Sequence, residues 1–155
     1  MPVVPLEVTA LSLARRFVGL SEVPGTASNP AILAMLKLDQ SWPGGDEVAW
    51  CSAYVNYICW LLELPRSKSL AARSWLKIGS PVSLTHAAPG FDVVVIMRGA
   101  GVQPGPEVTS GAPGHVGFYL GSDGGAISLL AGNQGNKVSE QSFPLSKLLG
   151  IRRLR

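Results

Sequence analysis

The stretch Asp46–Glu63, D-E-V-A-W-C-S-A-Y-V-N-Y-I-C-W-L-L-E, constrains the fold more than any other. Most of it reads as a helix that is apolar on nearly every side, with Ser52, Asn56 and Glu63 leaving a narrow polar stripe. A helix with so little polar face belongs inside a core. Cys51 sits near its start, just after a Gly-Gly-Asp turn signal. At that end the first backbone N–H groups are unpaired and the helix dipole is positive. Both favour a thiolate over a thiol, and the thiolate is the nucleophilic form of cysteine. One element is therefore expected to be both the core and the seat of the chemistry.

The 155 residues are expected to form one domain over 1–155, large enough to bury a core without staples. Hydrophobic residues at 46% and charged residues at 15% argue against disorder. With 18 glycines and 12 prolines, the chain must contain many turns. No apolar run reaches the roughly 18 residues that a membrane span needs. A net charge of +3 is too small to argue for nucleic acid, and the basic tail I-R-R-L-R reads as solvated. The start, M-P-V-V-P-L-E-V, lacks the basic-then-apolar layout of a signal peptide. Cys51 and Cys59 would lie about 12 Å apart along one helix, beyond disulfide reach. With only two histidines and no ligand spacing, neither a metal nor a cofactor is expected.

Along the chain, Leu6–Val18 predicts a first helix with Leu11, Leu13, Ala14, Phe17 and Val18 on its apolar face, stopped by Gly19. Asn29 as cap and Pro30 at the first helical position open a short helix through Leu36. A loop over Leu38–Gly45 leads to the central helix, and a short helix through Leu70–Ile78 buries Trp75 and Leu76. The character then changes. Phe91–Met97 is a continuous β-branched run and reads as a buried strand. Val116–Leu120 and Ala126–Leu130 are strands joined by G-S-D-G-G, and Val138–Phe143 and Ile151–Leu154 are weaker strand candidates. Helices followed by strands predict an α+β fold, the N-terminal helices packed on a C-terminal antiparallel sheet. Between strands, Gly99–Gly114 has no hydrophobic period and ends directly before His115. Loops longer than about 12–15 residues are more often functional than incidental, so this one is expected to wall a cleft.

A nucleophilic cysteine needs a base. His115 opens a strand in G-H-V-G-F-Y, flanked by glycines that permit close approach. His86, in T-H-A-A-P-G, reads as a surface residue. A third group should orient the imidazole. Asn133, in A-G-N-Q-G, lies past the strand that follows His115, and an antiparallel hairpin makes the two neighbours. Gln134 is the alternative at the same corner, though strand alternation would aim it to the other side. Singly, each is an ordinary residue: a cysteine on an apolar helix is usually a small core hydrophobe, the reading kept for Cys59. Jointly, a Cys-His-Asn order on helix start, strand start and strand end is the arrangement of nucleophilic catalysis.

The set A-W-C-S-A-Y-V-N, A-A-R-S-W-L, G-H-V-G-F-Y and G-N-Q resembles the CHAP and NlpC/P60 cysteine peptidases, in particular single-domain phage- or prophage-type members. The likeness runs from E-V-P-G near the first helix to the final strand. It implies a papain-like α+β fold and hydrolysis of a peptide or amide bond of peptidoglycan, as in an endolysin. By position Cys51 matches the nucleophile, His115 the base and Asn133 the third member, with the thiol within hydrogen-bond reach of the ring in a groove open to solvent. The Cys51 N–H would donate to the oxyanion. Gln40 and Ser41 are candidates for the second donor. Asp46, read first as a helix cap, Trp50, which stands where the NlpC/P60 pattern usually has Asp, and Gln134 complete the oxyanion or substrate candidates. The expected partner is peptidoglycan, reached by a monomer made in the cytoplasm and released or delivered to a bacterial cell wall or periplasm. Alternatives are a same-fold amidase or acyltransferase effector, or a non-catalytic cell-wall-binding module.

Overall fold

A computed structural model describes residues 1–4, 6–24, 28–39 and 49–155. It is an α+β arrangement: helices precede a sheet whose neighbouring strands all pair antiparallel. The helices are α1 (Ala10–Ala14), α2 (Pro30–Leu36) and α3 (Cys51–Leu61). The strands are β1 (Ser80–Val82), β2 (Asp92–Ile96), β3 (His115–Asp123), β4 (Ala126–Ala131), β5 (Ser139–Pro144) and β6 (Leu148–Arg153), in the spatial order β1-β6-β2-β3-β4-β5.

α1 is shorter than the apolar pattern predicts. A capping box sets its start: Ser12 N–H donates to Thr9 Oγ1 at 3.0 Å, and Thr9 N–H donates to Ser12 Oγ at 2.9 Å. Residues before the box have no core to enter, and Leu6 is exposed. The helix tightens to a 3-10 turn over Arg15–Phe17, which leaves Val18 half exposed. α2 follows its sequence signals: Asn29 Oδ1 accepts from Ala31 N–H at 2.9 Å, with Pro30 in the first helical position. The segment after α3 is 3-10 rather than α, over Ala72–Lys77, and buries Trp75 as expected.

α3 crosses the inner face of the sheet. Its side chains join Val93, Val95, Val116, Phe118 and Leu130 in the main core. A second, smaller core on the far face holds Val94, Ile96, Tyr119, Ile127, Leu129 and Ile151. β2 is therefore buried on both faces, which its unbroken β-branched run required. The polar stripe of α3 is buried as well. Ser52 Oγ accepts from Trp75 Nε1–H at 2.9 Å and donates to the Ser69 carbonyl at 2.6 Å. Asn56 Oδ1 accepts from Lys68 N–H at 3.0 Å, and its amide group donates to the Ser69 carbonyl at 3.2 Å. Without these bonds, two buried polar side chains would cost more than they contribute.

The basic tail departs from expectation. Arg152 and Arg153 lie in the paired strand β6. Arg153 grips the buried Asp92 with two bonds of 2.7 and 2.8 Å, and Arg152 donates to the Ile78 and Gly79 carbonyls. These side chains fasten the sheet edge instead of standing in solvent. β1, which the apolar pattern does not signal, is the short edge strand beside β6, and such an edge tolerates Pro81. Among the described residues no helix is long and apolar enough to cross a membrane.

Candidate active site

Cys51 is the first residue of α3, following Trp50 as N-cap. Trp50 fixes that helix start. Its ring is fully buried against Gly132, where an added Cβ would stand 2.5 Å from Trp50 Cζ3, and its indole N–H donates to Glu22 Oε1 at 2.8 Å. The expectation that Trp50 meets substrate is corrected accordingly: a side chain with no exposed surface cannot touch a polymer. What it does is hold the helix start against the end of β4.

His115 is the first residue of β3, paired with Ile96 at the end of β2. β4 approaches this strand closely because Gly117 lacks a side chain; a Cβ there would lie 2.7 Å from that of Ala131. The turn after β4 is thereby brought to the ring. His115 Nε2 and Gln134 Oε1 are 2.9 Å apart. Gln134, not Asn133, is the residue at the imidazole. The reason is local: β4 ends at Ala131, and Asn133 takes a left-handed φ of 58°, so strand alternation no longer decides where side chains point. Asn133 lines the neighbouring cavity without bonding the ring.

The Gln134 contacts also fix the proton on the imidazole. The amide nitrogen of Gln134 donates to the Ser139 carbonyl at 2.7 Å. A carbonyl only accepts, so the amide cannot be turned over, and Oε1 is the atom that faces His115. An amide oxygen only accepts too, so the proton sits on Nε2. In the neutral ring Nδ1 then carries the free lone pair, and it has no hydrogen-bond partner among the described residues. Ser139 Oγ donates to the Gln134 carbonyl at 3.1 Å and completes the brace.

Thiol and imidazole come to one end of the sheet. The backbone N–H of Val116, one residue beyond His115, acts on the Cys51 sulfur, and Arg98 acts on both side chains. No hydrogen bond joins thiol and ring, a contact that in such sites often tightens only when substrate is bound. Cys51 is 2% exposed and His115 4%. Burial pushes the Cys51 thiol up and outweighs the opposing pull of Val116 N–H, Arg98 and the N–H groups of Ser52 and Cys51 itself. The expected depression at the helix start is thus corrected: the donors are there, but dehydration of the thiolate dominates. Burial also pushes His115 down, Gln134 pulls it back up, and Arg98 lowers it further. At neutral pH the thiol and the imidazole are both uncharged.

A cavity of about 220 Å³ opens beside the ring, lined by His115, Asn133, Gln134, Arg98, Lys147 and others; Cys51 is not part of its lining. Of the Gly99–Gly114 loop only Gly99 lines it. The rest of that loop is wrapped around Arg73, which is fully buried. Its guanidinium donates to the carbonyls of Pro104, Gly105, Val108 and Pro113 at 2.8–3.1 Å. A charged side chain in the largely apolar A-A-R-S-W-L was the signal that could have announced this anchor. Arg98 and Lys147, at a strand end and in a 3-10 turn, carried no such signal. His86 is exposed and away from the ring, bonded to Ser83 Oγ at 2.8 Å. Gln40, Ser41 and Asp46 lie outside the described residues. Among the described residues no group of three or more His, Cys, Asp or Glu could hold a metal.

No protein-family model matches the chain, and no curated protein matches it. Among solved structures the chain is similar to NlpC1 from Trichomonas vaginalis, at 17% sequence identity and a TM-score of 0.52. The match covers 94% of this chain and 42% of that one, so this chain spans less than half of that protein's length. At such identity the likeness speaks for the fold: helices on an antiparallel sheet in the papain-like manner of an NlpC protein.

Proposed function

We propose that the protein is a cysteine peptidase or amidase that cleaves a peptide or amide bond of peptidoglycan, with Cys51 as nucleophile, His115 as base and Gln134 as the residue that orients the ring. The observation that carries this reading is the tautomer of His115. Its Nε2–H is held by a braced amide while Nδ1 keeps its lone pair, at the strand end where Val116 N–H meets the Cys51 sulfur. A histidine with a merely structural role gains from having both nitrogens bonded; a base must keep one free.

The steps follow from the charges. The resting pair is neutral, so the proton moves from Cys51 Sγ to His115 Nδ1 as the sulfur attacks the amide carbonyl, not before. The charge that develops on the carbonyl oxygen meets the Cys51 backbone N–H, which has no partner within the helix. His115 then protonates the leaving amine, giving a thioester and the freed amine. Water, deprotonated by Nδ1, attacks the thioester; the carboxylic acid departs and the proton returns to sulfur. Gln40 and Ser41 stay as proposals for the second oxyanion donor. In this reading one domain over 1–155 works as a monomer on the wall of a bacterium, released or delivered there as a phage-type lysin would be.

The test is digestion of purified cell walls by the wild-type protein and by Cys51→Ala, with the products identified by mass spectrometry. Release of muropeptide fragments with new amino termini by the wild type alone is the expected result. Equal release by both proteins, or by neither, would overturn the reading.

A further inference from the structure

We propose that the cavity beside His115 is a carboxylate subsite, which holds a negatively charged group of the peptide whose amide is cut; this rests on the hydrolase reading of Cys51 and His115. Among the described residues that line it, the cavity carries two cationic side chains, Arg98 and Lys147, and no acidic one. The backbone holds the two close: Met97 N–H donates to the Lys147 carbonyl at 2.8 Å, which places the end of β2 against the turn that leads into β6. Neither has an ion-pair or side-chain hydrogen-bond partner among the described residues. Other arginines of this chain are paired: Arg66 with Asp39, Arg153 with Asp92, and Arg15 with Glu140. Two like charges on one concave wall repel, and an anion between them relieves that repulsion.

The rest of the wall fits the same ligand. The side-chain amides of Asn133 and Gln141 line the cavity and have no hydrogen-bond partners among the described residues, so both have N–H groups to offer a carboxylate. Ile96 and Phe143 supply an apolar side for the methylenes of an acidic residue. At about 220 Å³ the space is smaller than a drug-sized pocket and suits one amino-acid side chain rather than a sugar strand. Because His115 lines both this cavity and the reaction centre, a charge seated here lies next to the bond that is broken. Asn133, displaced from the ring by Gln134, gains a role as a specificity residue.

Calorimetric titration of the Cys51→Ala protein, which cannot turn substrate over, decides the matter. The probes are peptidoglycan stem peptides with free carboxylates and the same peptides with every carboxylate amidated. The free acids are expected to bind at least about tenfold more tightly, since a charge-assisted hydrogen bond is worth that much. That preference should shrink between about 50 and about 300 mM salt. It should fall to near parity in Lys147→Met and in Arg98→Gln, both made on the Cys51→Ala background and both surface-accessible side chains whose loss leaves the melting temperature in place. Equal affinity for acid and amide, a preference that survives both substitutions, or no binding of either peptide would overturn the subsite. Cleavage of the same peptides by wild-type protein is scored in parallel. Cleavage without acid preference sinks the subsite and spares the hydrolase; acid preference without cleavage does the reverse.

Discussion

The two ends of α3 carry the same side chain into the same core and leave it with different neighbours. Cys51 and Cys59 are both buried thiols, and burial pushes both up, Cys59 to about 12. At Cys59 the one opposing influence among the described residues is Arg66. At Cys51 three backbone N–H groups and Arg98 oppose burial. The difference is positional. Inside a helix every N–H is already bonded to a carbonyl one turn back, so a thiol there finds no donor to share a negative charge. In the first turn those donors are free. Dehydration disfavours the ionised form of either thiol, and among the described residues only the one at the helix start has backbone donors that oppose it.

The strongest way to break this comparison is to exchange the cysteines for alanine. Cys51→Ala is expected to lower cell-wall hydrolysis by more than about a thousandfold, because the remaining groups act only as a unit with the nucleophile. The same substitution at Cys59 should leave hydrolysis within about twofold and cost roughly 1 kcal/mol of unfolding free energy through a small cavity. Turbidity assays and urea titrations read the two effects. A similar loss of activity in both variants would end the distinction.

Gln134 sharpens the site end of the comparison. Gln134→Ala frees the ring and should lower the hydrolysis rate about a hundredfold, whereas Asn133→Ala should cost less than about tenfold. Gln134→Glu places a carboxylate at Nε2, which favours the imidazolium and raises the His115 pKa. Since the base must be neutral, the acidic limb of the rate profile should move to higher pH. An acidic limb that stays put would show that His115 is not the base.

The buried His115 has a consequence for stability too. Its folded-state pKa lies below its ordinary value because burial disfavours the charged ring. Below about pH 6.5 the unfolded chain therefore binds more protons than the folded one. Stability should be fully present above that pH and decline as the pH falls toward the depressed folded value. Urea midpoints taken between pH 7.5 and 5 test this, with His115→Gln as the control in which that part of the decline is absent; the pH limits are about those that bracket an imidazole titration.

A smaller effect on chemistry is expected at Arg73. Arg73→Met leaves four loop carbonyls without their donor and should cost about 2–4 kcal/mol, with faster proteolysis inside 99–114. Hydrolysis by the fraction that remains folded should change little, because only Gly99 of the loop reaches the cavity. A large fall in kcat without a fall in stability would make the loop a catalytic wall after all.

Much of the fold was legible because its signals are local. The β-branched run of β2, the Asn29-Pro30 start of α2 and the apolar α3 each follow from periodicity and capping within a few residues. Where local reading went astray, a neighbour distant in sequence had decided. Arg152 and Arg153 read as a solvated tail until Asp92 and the Gly79 turn came into contact with them. Residues 6–8 read as part of the first helix because they lead into its apolar face, yet they are exposed and have no core to enter.

By itself the sequence determined that Cys51 would open a buried helix, that His115 would open a strand, and that a Gly-Asn-Gln turn would return beside it. Capping, period and turn chemistry are properties of short segments, and they survive in any fold the chain adopts. Only the tertiary structure decided that Gln134 and not Asn133 faces the ring, because that choice depends on one left-handed residue and on a carbonyl of β5. It alone decided that Cys51 rests as a thiol, since dehydration depends on everything packed around the sulfur and outweighs the dipole of its own helix. And it alone gathered Arg98, Lys147 and Asn133 around one cavity, from a strand end, a 3-10 turn and a loop that no pattern in the chain connects.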